Sequence, residues 1–284
     1  MKRLILFLSV ATGTSGFSAV VYDTVYINKG TFETVDTNYF ACYAFNDSAT
    51  FNQDNSRIFL DPGDSLYLTI INTDVLDHGF DITETIGYST LIPTGDTVTL
   101  ACKFDLVTVH ICYDDSSYPT FRYMGLGAMI IVDDFTGSGF CWNLKDHQAA
   151  WNDSLDSGFT VDWLDYYPDY FTINGLSNPF TLEDTVARVT GNVGETIRIY
   201  MANTGQGIHS IHFHGYHLEI IYSSKFPLHI GRSKDTFPIY SMETMILELI
   251  PDKIGEYPVH DHNALAVTGG KVYPYGMFLT MLIE

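Results

Sequence analysis

Basic residues are scarce in this chain. Its 284 residues carry 14 Lys and Arg against 34 Asp and Glu, a formal net charge of −20 and a pI near 4.6. Such a polyanion is repelled by phosphate backbones, so no nucleic-acid partner is expected. Long apolar runs are missing as well: beyond the N-terminus nothing is long enough to cross a bilayer, and no membrane span is expected. No long stretch carries a helical period, which argues against helical architectures. Cysteine is limited to Cys42, Cys102, Cys112 and Cys141. Four cysteines allow one or two disulfides in several pairings that sequence does not choose between. A Cys102–Cys112 bridge is disfavoured, because a turn at 103–105 would leave the two out of register across a hairpin.

The N-terminus runs Met1-Lys2-Arg3, then an apolar core from Leu4 to Ala11, then small residues to Ala19. This is the pattern of a signal peptide over residues 1–19, implying a periplasmic or secreted mature protein. The remainder of the chain is rich in Thr, Tyr, Val, Ile and Phe, in short alternating runs broken by Gly, Asn, Asp and Pro. Ser65–Ile71, Val107–Cys112, Thr196–Met201 and Met245–Ile250 are examples of predicted strands. The fold class is therefore all-β, of the sandwich type.

A weak internal repeat divides the chain. Asp61-Pro-Gly-Asp-Ser-Leu through Asn72 matches Asn192-Val-Gly-Glu-Thr-Ile through Asn203. Each copy is followed by a His-Gly pair, His78-Gly79 and His214-Gly215. Two sandwich domains are expected, at 23–135 and 168–284, joined by a connection over 136–167.

The histidines are distributed unevenly. Five of the ten lie in His209-Ser-Ile-His212-Phe-His214-Gly215 and His260-Asp261-His262, both inside predicted strands. Alternate strand residues share a face, so His212 projects with His214, and His260 with His262. Four imidazoles aimed together are a metal site for copper, zinc, iron or nickel. His217 is placed to orient a ligand or to sit on the surface, whereas His147 and His229 read as exposed loop residues.

The order Phe171-Thr-Ile-Asn-Gly175, Asn203, His-x-x-His-x-His-Gly, Asp235-Thr236, Gly255-x-Tyr257, His-x-His and Gly276-Met277 resembles the last domain of multicopper oxidases. The first half resembles a second cupredoxin domain, and the whole plan is similar to copper nitrite reductases and two-domain laccases. The resemblance implies two tandem cupredoxin-like Greek-key β-sandwiches. It implies copper as cofactor, although zinc would also fit His ligands. It implies oxidoreductase activity on dioxygen or a small-molecule substrate, and a homotrimer with sites between subunits.

By the same resemblance His78, His110, His212, His214, His260 and His262 hold ligand positions, with Cys112 standing where another His would be. His209 and Met277 match the blue type 1 copper site. That site needs a thiolate, and Asp261 occupies its place while Ala266 occupies that of the following His, so no type 1 copper is expected. Asp77, beside His78, is the leading candidate for a proton-handling catalytic acid, with Asp81 and Asp261 as rivals. A non-catalytic copper-binding protein for storage or delivery is the competing function.

Overall fold

The computed structural model describes residues 18–85 and 90–284. The expected signal peptide lies almost wholly outside them. Among the described residues no helix is long and apolar enough to cross a membrane.

Two β-sandwiches follow one another, built to the same plan. In the first, the strands Tyr39–Asn46, Val20–Glu33, Ser65–Asn72 and Thr97–Lys103 form one sheet in that order. Arg57–Leu60, Gly127–Val132, Thr108–Tyr113, His78–Ile82 and Thr90–Ile92 form the facing sheet. In the second, a six-stranded sheet opens with Tyr170–Ile173, Ser138–His147, Ile197–Asn203 and Thr244–Leu249. Its partner sheet is Thr190–Gly191, Phe278–Ile283, Gly255–Asp261, His209–Phe213 and Thr236–Ile239. Each sandwich has two parallel pairings: Val20–Glu33 with Ser65–Asn72 and Arg57–Leu60 with Gly127–Val132 in the first, Ser138–His147 with Ile197–Asn203 and Thr190–Gly191 with Phe278–Ile283 in the second. The segment 136–167, read from sequence as a connection, thus contributes a ten-residue strand to the second sandwich.

The repeat is close enough in its hydrogen bonds to fix a register between the halves. The Asn72 amide donates to the carbonyls of Leu76 and Ile92, and the Asn203 amide to those of Gly207 and Ile239. Both asparagines are buried, and each closes the loop behind its strand. His78 then pairs with Ile92 across the strands, as His209 pairs with Ile239.

Alternation divides the side chains between core and surface. Ile199 and Met201 face Ile211, Phe213, Val259 and Leu279 inside the second sandwich, with Trp142 stacked on Phe213 at 5.4 Å. The intervening Tyr200 and Ala202 point outward, and with Cys141 and Ile246 they pack on Val109, Ile111, Met129 and Ile131 of the first. The domains therefore meet through the outer face of the six-stranded sheet. Polar ties line the seam: Arg198 to Asp133, Asn143 to the Gly127 carbonyl, and Thr244 to the Val109 carbonyl. The backbones approach so closely that a Cβ at Gly127 would lie 2.7 Å from Thr204.

Cys42, Cys112 and Cys141 are buried thiols outside any disulfide. Cys102 and Cys112 lie on strands of opposite sheets, not on a hairpin, and both face the first core. Burial pushes the Cys42 and Cys141 thiols up to about 12, which keeps them protonated.

His147 departs from its expected surface position. It ends a strand and lies fully buried among Phe32, Phe40 and Tyr123. Burial, aided by Lys145, pushes its pKa down to about 3. The unfolded chain takes up this proton near the ordinary value of about 6.5 and the native state refuses it. The resulting stability is intact above that pH and is lost as pH falls toward 3, by up to about 1.4 kcal/mol per pH unit. Denaturant melts of wild type and His147→Met between pH 7 and 4 are expected to differ in slope by one proton; equal slopes contradict the assignment. Asn203→Ala, which orphans two buried carbonyls, is expected to cost roughly 2–4 kcal/mol in the same melts.

Candidate metal centre

Four imidazoles gather on the outer face of the second sandwich's five-stranded sheet. His212 and His260 are direct partners across antiparallel strands, and their neighbours Ile211, Phe213 and Val259 fill the core on the other side. His214 and His262 each stand just past the end of their strand, exposed, while His212 and His260 are half-buried. Ring centres lie 4.7 Å apart for His212 and His214, 5.2 Å for His214 and His260, and 5.5 Å for His212 and His262. His214 Nε2 and His260 Nε2 are 3.0 Å apart.

The outward nitrogens are accounted for separately. His212 Nδ1 meets the Thr236 hydroxyl at 2.9 Å and the Asp235 carbonyl at 3.2 Å. His260 Nδ1 donates to the Asp261 carbonyl at 2.9 Å. Both rings are thereby oriented with Nε2 toward the cluster. Desolvation and the neighbouring His212 and His260 hold His214 below its ordinary pKa, so it stays neutral and able to coordinate. The Thr236 hydroxyl in turn donates to Asp235, whose pKa that bond lowers.

Beneath the cluster lies a buried pair. Asp261 Oδ2 accepts from His209 Nδ1 at 2.7 Å, and its Oδ1 accepts from the backbone N–H of Asn263 and Ser210 at 2.8 and 3.1 Å. His209 is 1% exposed and its Nε2 has no hydrogen-bond partner. Met277, the other residue matched to a type 1 site, is fully buried in the core.

The first domain repeats this pair rather than the cluster. His78 Nδ1 bonds Asp114 Oδ2 at 2.7 Å, and Asp114 Oδ1 accepts from the Ser116 N–H at 2.8 Å. A second carboxylate, Asp74, meets His78 Nε2 at 3.0 Å. In the shared register His78 is the counterpart of His209, and Asp114 of Asp261. The His-Gly match of the sequence therefore aligned His78 with the wrong histidine. Asn72 and Asn203 each stand six residues before their histidine, and counting from those asparagines would have found the right one.

Two further sequence assignments change with it. Asp81 pairs with Tyr113 where His212 pairs with His260, and the Thr83 N–H bonds the Ile111 carbonyl as the His214 N–H bonds that of Pro258. The first-domain counterparts of the cluster are thus Asp81, Thr83, Tyr113 and Asp115. His110 instead points inward beside Phe104 and bonds the Thr83 carbonyl at 2.7 Å, with burial lowering its pKa. Cys112 is part of the first core. Asp77 is exposed and accepts from the Thr94 N–H at 2.9 Å. None of His78, His110 and Cys112 joins the four rings, which touch one another wholly within the second domain.

Residues 158–275 match the family model for multicopper oxidase. A blue copper oxidase from Nitrosomonas europaea superposes with a TM-score of 0.80 at 21% identity, over 94% of this chain and 86% of its own. A copper nitrite reductase from the same organism gives a TM-score of 0.73 at 16% identity, over 93% of this chain and 94% of its own. The second domain thus carries the multicopper oxidase match, and the chain as a whole shares the two-domain fold of these copper proteins. No curated protein matches it.

The donor set fits the metal that this superfamily implies. Two nitrogens bound to one ion at about 2.0–2.1 Å stand roughly 3 Å apart, close to the His214–His260 separation. His212, His214, His260 and His262 would hold copper, the ion taking the place of the contact between the His214 and His260 nitrogens. Among the described residues, no three or more His, Cys, Asp or Glu stand close enough together to hold a metal ion as placed in the metal-free chain. The four rings form an open half-site on an exposed face. Thr236→Val removes the hydroxyl that orients His212 and is expected to weaken copper binding by about tenfold. A competition titration against a chelator checks this; unchanged affinity would show that Thr236 does not orient the ligand.

Proposed function

We propose that the mature chain is an exported copper-dependent oxidoreductase working at the His212, His214, His260 and His262 centre, without a type 1 copper. The observation that carries this reading is the pair of facing Nε2 atoms, with the Nδ1 atoms of His212 and His260 tied to oxygen partners. Copper bound there supplies one-electron redox chemistry at an open coordination position. Zinc would suit the same nitrogens, but the divalent affinity order and the superfamily favour copper.

The chain's own groups set what can happen at the site. The exposed His214 and His262 leave it accessible to dioxygen or another small molecule, which suits turnover better than closed storage. Asp235, ionised and hydrogen-bonded through Thr236 to His212, offers a route for a proton between solvent and the cluster. Asp261 replaces the thiolate of a type 1 centre, so electrons must arrive directly from a small reductant.

An intersubunit setting completes the reading. The four rings lie on the sheet opposite the one that packs on the chain's own first domain, so a neighbouring subunit is the surface available to cover them. A homotrimer closed by a heterologous interface is the arrangement proposed.

Copper loading of the mature protein, with metal analysis, EPR, optical spectra and sedimentation, tests the proposal. Three chains per particle, copper bound in a His-dependent way, a type 2 EPR signal or a coupled cluster, and oxygen uptake with a small reductant are expected. An intense band at about 600 nm would contradict the absence of type 1 copper. Failure to retain copper would overturn the reading.

A further inference from the structure

We propose that Asp261 is the positioning residue of the imidazole cluster, a buried carboxylate that locks the two ligand-bearing segments together through His209. The proposal deepens the copper reading and rests on it for its functional meaning, whereas the lock itself is a property of the metal-free chain.

Asp261 stands in sequence between His260 and His262, yet its side chain turns the other way. It is 1% exposed and takes three hydrogen bonds. Two of them, from His209 Nδ1 and the Ser210 N–H, reach the segment that carries His212 and His214. The third, from the Asn263 N–H, fixes the turn that carries His262. One carboxylate thus spans both His-x-His segments, close to where direct strand pairing stops. The ladder between these strands covers only Ile211, His212 and Phe213 with Asp261, His260 and Val259. The exposed ends lie outside that ladder, tied by the His214 N–H to the Pro258 carbonyl and the His262 N–H to the Ser210 carbonyl, and the carboxylate adds its three bonds to these two.

His209 is the other half of the lock. Its Nδ1–H points at Asp261, and its buried Nε2 is left without a partner. A ring that uses one nitrogen and orphans the other is retained for that one bond. A buried hydrogen bond to a charged group is stronger than a neutral one, and removing either partner leaves the other unsatisfied. The first domain has the same pair, His78 and Asp114, with Asp114 gripping the Ser116 N–H as Asp261 grips that of Asn263. There the counterparts of the ligand positions are Asp81, Thr83, Tyr113 and Asp115, so the pair holds the strands without imidazoles to position. The duplicated lock is a strand-joining device, and in the second domain it sets the geometry of the centre.

The test compares Asp261→Asn, His209→Leu and His209→Asn with wild type. Asn at 209 places an amide N–H close to where the imidazole Nδ1–H stood, so it keeps the bond to Asp261 but removes Nε2. Hydrogen exchange of the metal-free proteins is read at 210–213 and 259–263, with 197–203 as an internal control. Copper affinity and EPR hyperfine parameters are read after loading.

Asp261→Asn and His209→Leu are expected to speed exchange in both segments about tenfold or more, leave the control segment unchanged, and give a weaker, heterogeneous copper signal. His209→Asn is expected to keep wild-type exchange and the wild-type EPR spectrum. Wild-type exchange and spectra in Asp261→Asn would overturn the lock. Loss of copper in His209→Asn with normal exchange would make His209 a ligand and overturn its role as anchor. If wild type itself holds no copper, the exchange data still decide the lock, and only the copper reading fails.

Discussion

The register between strands His209–Phe213 and Gly255–Asp261 is the constraint on which the site depends. Ile211, Phe213 and Val259 must enter the core, and the pleat then forces His212 and His260 onto the opposite face, side by side. A slip of one residue would bury imidazoles without partners and expose the core, so packing energy selects the ligand geometry. The clustering of the four imidazoles is in this sense a by-product of a well-packed sandwich. Asp261, with the backbone bonds of His214 to Pro258 and His262 to Ser210, extends that order past the end of the ladder.

The two halves show what the same scaffold does with different residues. Both keep the asparagine corner, the two parallel strand pairings and the buried His–Asp pair. Only the second places imidazoles on the outer face. The first carries Asp81, Thr83, Tyr113 and Asp115 there, and its outer sheet face also supplies Val109, Ile111, Met129 and Ile131 to the domain seam. The first domain's contribution is architectural: it covers one sheet of the second sandwich and leaves the other, with its four rings, free to meet another molecule.

Much of this was legible in the sequence. Alternating apolar runs gave the strands, and the Asn72 and Asn203 repeat gave the two sandwiches. The His212–His214 and His260–His262 spacing placed four rings on one face, because strand periodicity acts locally. What sequence missed depends on long-range pairing. Matching His78-Gly79 to His214-Gly215 relied on two adjacent residues, and the register is set instead by hydrogen bonds from asparagines six residues upstream of His78 and His209. His110 and Cys112 were then counted as ligands although their strand turns them into the first core. His147 looked like a loop residue because its strand, Ser138–His147, pairs with a segment some sixty residues away. The contact of Asp261 with His209 crosses 52 residues and leaves no local signal at all.

The proposed metal centre divides the labour between the domains: the second alone would supply its imidazoles, and the first none. Anomalous diffraction at the copper edge, from crystals of the copper-loaded protein, tests it most directly. The account predicts copper density within bonding distance of His212, His214, His260 or His262, and none at His78, His110 or Cys112. Copper bound by His78, His110 or Cys112, of the same chain or of a neighbour, would contradict it.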